Sequence, residues 1–458
     1  MTFTSNLFLI GLLPFFAVIY NWLRDKNTAA RKVLLLLANS LFLIWGGVGS
    51  LLFLCAFSCM VFLFAKIVCK TGKRSVLALS ICLSLVPLVV IKYTMFMIET
   101  INTVTGYNTV VPSIVVPTGI SFITFEAVSL LVDIFRGIIC KNPSLIDTFL
   151  YLGFFPTVSS GPITRYQEFI EGLHDDCTPC DYTLAVTKIS VGLCKKVLIA
   201  DKIAVLADYY FDGAALGHSF SCLGLWIGSI AYSIQLYFDF SGYSDMAVGI
   251  GQLLGFNLSE NFNKPYQASS ISDFWKRWHI SLTRWFRDYV YIPLGGNRCS
   301  KYRHILNMLL VWLLTGIWHG ANWTFIVWGI GYFLLLVSEK YCTHKLLQGS
   351  KFFSHLYTLF FVNLLWVPFR TESLSDAANY LAGMFSRGSS GIEEIAVRFF
   401  PLILIAIVLC LPWDKFYDKF LDRRWFVILR GFVFIALVFL ALCGSINSSY
   451  TPYIYGSF

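Results

Sequence analysis

Charge is what this chain has least of: Asp, Glu, Lys and Arg make up 13% of its 458 residues, about half the share usual in soluble domains. The chain is also 57% hydrophobic and 17% aromatic, with a mean hydropathy of +0.68. In water it would expose large apolar patches and aggregate, whereas lipid tails solvate such a surface without penalty. No stretch is long and polar enough for a soluble nucleic-acid-binding domain. The net charge of +9 therefore points to lipid headgroups or an anionic substrate such as a nucleotide-bearing thioester, and nucleic acid is not expected. The 13 cysteines lack a paired framework; Cys55, Cys59, Cys82, Cys194, Cys222, Cys410 and Cys443 sit in apolar runs as small hydrophobes would. Cys177 and Cys180 make a lone C-x-x-C, which without a second pair or a nearby His reads as incidental. Also missing are a phosphate-cradling Gly-rich loop with Lys, a His-Glu-x-x-His zinc motif, a G-x-S-x-G nucleophile and the internal repeat of many secondary transporters.

What is present is a series of apolar runs. A helix needs roughly 20 apolar residues to cross the hydrocarbon, fewer where the bilayer thins. Candidates are Thr4 to Leu23, Val33 to Trp45, Leu51 to Ala65, Val76 to Met97, Ile114 to Phe135, Leu223 to Gly255, Ile305 to Trp318, Trp323 to Val337, Phe352 to Val367, Phe399 to Leu411 and Phe432 to Cys443. The first lacks a basic n-region before it and a small-residue cleavage site after it, and reads as a retained span. Basic loops at Arg24, Lys26, Arg31 and Lys32, at Lys66, Lys70, Lys73 and Arg74, and at Arg136 and Lys141 alternate with loops that carry no basic residue. Positive loops stay cytoplasmic, so the N-terminus is expected outside. Phe149 to Val158 is too short to span, and Leu184 to Ala207 carries Lys188, Lys195, Lys196, Asp201 and Lys202. One of these two stretches could cross while the other is re-entrant or interfacial.

The chemistry-bearing segment lies between Asn257 and Arg303. Trp275, Trp278, Leu282, Trp285 and Tyr289 keep the three-and-four spacing of one helical face, with Lys276, Arg277, Arg284 and Arg287 on the other. This predicts one amphipathic helix over Ser272 to Tyr289, capped by Ser272 and lying at the cytoplasmic surface or partly embedded. An anchor is the plain reading of such a helix. His279, at the edge of the tryptophan face, is by itself most simply a packing residue.

His319 shifts that balance. It sits in Leu313-Leu-Thr-Gly-Ile-Trp-His-Gly-Ala-Asn-Trp323, at a glycine-flanked break between apolar runs. Ionisable residues at membrane depth are costly and usually functional. An apolar setting favours the neutral imidazole, which can take a proton from a sugar hydroxyl as that oxygen attacks a thioester carbonyl. Gly316 and Gly320 leave room for substrate or serve helix packing. Lys276, Arg277, Arg284, Arg287 and Arg298 would receive donor phosphates, although topology and lipid contact alone would place positive charge there.

These residues resemble the membrane-bound O-acyltransferases, in particular the alginate O-acetyltransferase-like branch. Ser272 to Arg298, ending in Tyr291-Ile-Pro-Leu-Gly-Gly-Asn-Arg298, is similar to the family's signature block with its first functional histidine, here His279. Thr315 to Trp323 is similar to the block around the second, here His319. Phe238-Asp-Phe-Ser-Gly-Tyr-Ser-Asp245, Gly161-Pro-Ile-Thr-Arg165, Trp366-Val-Pro-Phe-Arg370 and Tyr450-Thr-Pro-Tyr-Ile-Tyr-Gly-Ser-Phe458 match as well, so the likeness runs through nearly the whole chain.

The resemblance implies an all-α polytopic membrane protein, a ring of about 11–12 tilted spans with re-entrant and interfacial helices around a thinned central tunnel. It would form one domain over residues 1–458: N-terminal helices 1–145, a catalytic core 146–345 with the cytoplasmic segment 257–303, and C-terminal helices 346–458. It would sit in a bacterial inner membrane. His319 would be the base and His279 a second essential residue. Trp275, Lys276, Arg277, Trp278, Arg284, Arg287, Asn322, Asp239 and Asp245 would bind substrate, the two aspartates by orienting the site. The donor would be acetyl-CoA or another acyl thioester, with no resident cofactor and no metal. The acetyl group would pass to a separate extracytoplasmic SGNH-type transferase and on to a polysaccharide.

Two other readings compete. One is D-alanyl transfer to teichoic acid from a carrier-protein thioester. The other is a transporter or export factor in which His319, Asp239, Asp245, Glu126 and Lys92 relay protons.

Overall fold

Helix follows helix because the apolar runs are punctuated by capping and breaking residues. The computed structural model describes residues 3–24, 26–140, 142–174, 180–343, 347, 349–386, 391–413, 419–420 and 423–447. Lys141, Cys177 and the tail from Tyr450 to Phe458 lie outside the described residues. Among the described residues every regular element is helical. They group into two compact units, residues 1–189 with 246–260, and residues 190–245 with 261–457.

The first unit opens with α1 (Leu7–Arg24), α2 (Thr28–Trp45), α3 (Val48–Thr71) and α4 (Arg74–Thr105). Asn27 caps α2 by accepting the Ala30 N–H at 2.9 Å, and left-handed glycines, Gly72 and Gly106, end α3 and α4. Next come α5 (Ile120–Phe135), α6 (Leu145–Leu152) and α7 (Tyr166–His174). Ile120 to Ile134 are all buried, so α5 is the unit's core. It can enter there because Gly119 has φ +77° and a Cβ would collide with the Val158 carbonyl. The first basic loop does more than mark a membrane side: Arg31 is fully buried on the Leu173 carbonyl, and Lys32 pairs with Asp147 at 2.6 Å.

The Leu184 to Ala207 stretch is helical throughout. α8 (Tyr182–Cys194) passes through a π-helical stretch, Lys195–Ala200, into α9 (Asp201–Ala215); such bulges are frequent at functional sites. Then follow α10 (Cys222–Leu253), the short α11 (Ile271–Arg277) and α12 (Ile280–Phe286), and the hairpin of α13 (Lys301–His319) and α14 (Trp323–Ser338). α15 (Lys351–Arg370), α16 (Leu374–Met384), α17 (Glu394–Cys410) and α18 (Arg424–Asn447) complete the second unit. Among the described residues, seven helices are long and apolar enough to cross a bilayer: α1 to α4, α14 with its π-helical extension to Thr343, α15 and α18. This is the all-α multi-pass architecture expected. The remaining apolar runs are short, as in α5 and α17, or carry charge and polar groups, as in α10 and α13.

Candidate active site

The segment expected as one amphipathic helix is broken at its centre. α11 ends at Arg277, Trp278 is extended at φ −103° and ψ 130°, and His279 is left-handed at φ 45° and ψ 55° before α12 begins. The N-cap is Ser270, not Ser272: its Oγ accepts the Asp273 N–H at 2.9 Å. Glu339 receives the Ile271 and Ser272 N–H groups at 2.6 and 3.0 Å. The cause of the break is tertiary. Asn261 takes the Ile280 N–H on its backbone carbonyl at 2.9 Å, and Asn263 donates to the Arg277 carbonyl at 2.9 Å. Both bonds replace those the helix gives up. Among the described residues, the non-glycine positions with positive φ are Lys264 and His279, both between Asn257 and Arg303. Such backbone costs about 1–3 kcal/mol and concentrates at functional sites.

The tryptophan face is buried as its periodicity implied, but in protein and not in headgroups. Trp275, Trp278, Leu282 and Trp285 are all buried, which corrects the surface-anchor expectation. His279 is fully buried between Phe240 at 4.7 Å and Trp318 at 5.9 Å, ring centroid to centroid. Burial lowers its pKa to about 3, so the ring is neutral.

His319 is the last residue of α13, 1% exposed. Trp318, Trp328 and Phe369 stand edge-on around it at 5.0, 4.9 and 5.2 Å. Phe369 comes from the Trp366-Val-Pro-Phe-Arg370 block. Trp318 touches both imidazoles, so one indole links the two histidines. The flanking glycines serve packing. A Cβ on Gly316 would meet the Phe325 carbonyl at 2.5 Å, and one on Gly320 the Phe325 ring at 2.1 Å. α13 and α14 thus close tightly just before His319.

The aspartates of α10 are held by lysines that sequence reasoning left unassigned. Asp239 and Asp201 share Lys196 at 2.5 and 2.7 Å, all three buried, and Asp245 pairs with Lys195 at 2.6 Å. These pairs fix the stretch of α10 that carries Phe240 against His279. Asn322 caps α14, accepting the Thr324 N–H at 3.1 Å and donating to the Glu372 carbonyl at 2.6 Å.

A cavity of about 320 Å³ is lined by Trp275, Lys276, Thr283, Arg287, Trp312 and Thr315, with neither His279 nor His319 in its wall. Thr315 is one turn before His319 on α13. A second cavity of about 700 Å³ shares Ser272, Tyr291 and Trp312 with it and is further lined by His304, Glu339, Lys340 and Lys351. The basic residues divide accordingly. Lys276 and Arg287 line the smaller cavity, Arg287 also pairing with Asp288 at 2.8 Å; Arg277 is turned to Asp273 at 3.0 Å, and Arg284 and Arg298 are exposed.

Comparison with known proteins identifies the family. The sequence profile of the membrane-bound O-acyltransferase family matches residues 135–367, a span that includes α11 to α14 and both histidines. The chain belongs to the membrane-bound O-acyltransferase family. It is 36% identical over 411 residues to a protein of Pseudomonas aeruginosa named probable alginate O-acetylase, covering 86% of this chain and 77% of that one. Its identity to the peptidoglycan O-acetyltransferase of Helicobacter pylori is 33% over 431 residues, 86% of this chain and 81% of the relative. The teichoic acid D-alanyltransferase of Bacillus subtilis is 33% identical over 234 residues, 49% of this chain and 58% of that protein. The likeness to the alginate-type branch therefore runs through far more of the chain. The protein is a multi-pass membrane O-acyltransferase, an enzyme, which sets the proton-relay transporter aside.

Proposed function

We propose that this enzyme takes an acetyl group from a cytoplasmic thioester, acetyl-CoA, and delivers it for O-acetylation of an extracytoplasmic polysaccharide through a separate SGNH-type transferase. It works in a bacterial inner membrane with its N-terminus outside. The observation that carries the reading is the pair of buried histidines joined through Trp318, with Thr315, on the same helix as His319, lining a cavity together with Lys276 and Arg287. In the chemical step the acceptor hydroxyl oxygen attacks the thioester carbonyl carbon while the His319 imidazole takes its proton. Collapse of the tetrahedral intermediate breaks the C–S bond and releases the thiolate, which is then protonated. His279 positions the reacting groups.

Lys276 and Arg287, with Arg284 and Arg298 at the exposed edge, receive the donor's anionic groups. Trp275 walls the cavity with its indole ring. Trp278, Asp239, Asp245, Arg277 and Asn322 hold the frame. The D-alanyltransferase likeness keeps a carrier-protein thioester as a second possible donor. The test is consumption of radiolabelled acetyl-CoA by the purified protein in lipid nanodiscs, with and without a co-purified extracytoplasmic partner. Label passing to polysaccharide supports the reading. No turnover with acetyl-CoA, but turnover with an acyl-carrier thioester, replaces the donor; no turnover with any thioester removes the proposal.

A further inference from the structure

Asn261 is 1% exposed and belongs to none of the blocks that carry the family likeness. Its side chain nevertheless sits at the turn that carries His279. Its Oδ1 accepts the Ser281 backbone N–H at 3.0 Å and the Ser281 hydroxyl at 2.9 Å, and it lies 3.2 Å from His279 Nδ1. Oxygen and nitrogen of an amide look alike in shape, so its orientation has to be argued from its partners. Here a backbone group decides it. The Ser281 N–H can only donate, and a flipped amide would set an NH₂ against it. The atom facing His279 Nδ1 is therefore an acceptor. With His279 itself neutral and fully buried, an unprotonated Nδ1 would oppose lone pair to lone pair.

We propose that Asn261 is a positioning residue that fixes His279 in the Nδ1–H tautomer, leaving Nε2 as the nitrogen with the lone pair. His279 then meets the reacting groups as an acceptor through Nε2, never as a neutral Nε2–H donor. The tautomer assignment stands on geometry; its consequence for turnover rests on the acyl-transfer reading above. Backbone and side chain of Asn261 divide the work. The backbone carbonyl accepts from Ile280 and fastens the left-handed turn, whereas the side-chain oxygen selects the tautomer. A substitution can remove the second while keeping the first.

The experiment is ¹⁵N spectroscopy of the full-length protein in nanodiscs with labelled histidine. The chain has seven histidines, and His279→Asn identifies the resonance. Wild type is expected to show a protonated Nδ1 and an unprotonated Nε2, and Asn261→Leu to lose that preference. Asn261→Asp, which keeps an oxygen acceptor, is expected to retain Nδ1–H. In kinetics Asn261→Leu should lower kcat by about tenfold to a hundredfold, as loss of a histidine-orienting partner does elsewhere, with KM for acetyl-CoA little changed and Asn261→Asp recovering much of the loss. An Nε2–H signal in wild type, or the same tautomer in Asn261→Leu, overturns the proposal. The wild-type spectrum alone decides the tautomer should Asn261→Leu not fold. An absence of thioester turnover would count against the acyl-transfer reading while leaving the spectrum decisive for Asn261.

Discussion

The two histidines are seated by opposite means. His279 occupies a left-handed turn held by directional hydrogen bonds from Asn261 and Asn263. His319 ends a regular helix and is enclosed by the rings of Trp318, Trp328 and Phe369. Hydrogen bonds fix the direction of a ring and its tautomer, whereas aromatic packing fixes its place and excludes water. The seat of His279 thus suits an orienting role and that of His319 suits proton transfer.

Perturbing one seat at a time sharpens this contrast. The largest effect on folding is expected from Lys196→Met, which leaves Asp239 and Asp201 buried without their cation and should cost about 3–5 kcal/mol. Thermal unfolding in nanodiscs measures it, and loss of activity should follow displacement of Phe240 from His279. Phe369→Ala opens the other seat, at about 3 kcal/mol for an emptied aromatic site; the His279 resonances should stay unchanged, and their movement would mean the two seats are one. Lys276→Gln with Arg287→Gln should raise KM for acetyl-CoA about tenfold with kcat largely kept, since two charge-assisted contacts are lost outside the histidine pair. The smallest expected effect is none: His279, with its pKa near 3, stays neutral from about pH 8 to pH 5, where an ordinary imidazole gains its proton. Its ring resonances should not titrate there, so an acid limb of activity in that range belongs to another group.

Much of this was legible in the sequence, for reasons that also mark where legibility ends. Apolar runs disclosed the long helices, because a bilayer demands both length and apolarity. The three-and-four spacing of Trp275, Trp278, Leu282 and Trp285 foretold a buried face, yet it fits an unbroken helix equally well, and neither Gly nor Pro marks the turn at His279. That turn is imposed by Asn261, 18 positions earlier, and local pattern cannot report a partner so distant in the chain. The same holds for Lys195 and Lys196. In the sequence they blur a span; in the fold they neutralise Asp245, Asp239 and Asp201. Gly316 and Gly320 left two readings open, and only the approach of Phe325 settles them as packing residues.

The most direct test of the central claim compares His319→Ala with His279→Ala in single-turnover transfer of labelled acetyl from acetyl-CoA, at matched folded yield. Loss of a general base costs about 10²–10⁴ in rate. The account predicts that His319→Ala falls by that factor without a matching change in acetyl-CoA binding. It also predicts that His279→Ala loses rate by a smaller factor, because His319, the base, is still present. A His319→Ala enzyme within about threefold of wild type, well below the range for a lost base, would contradict the assignment and make His319 a packing residue.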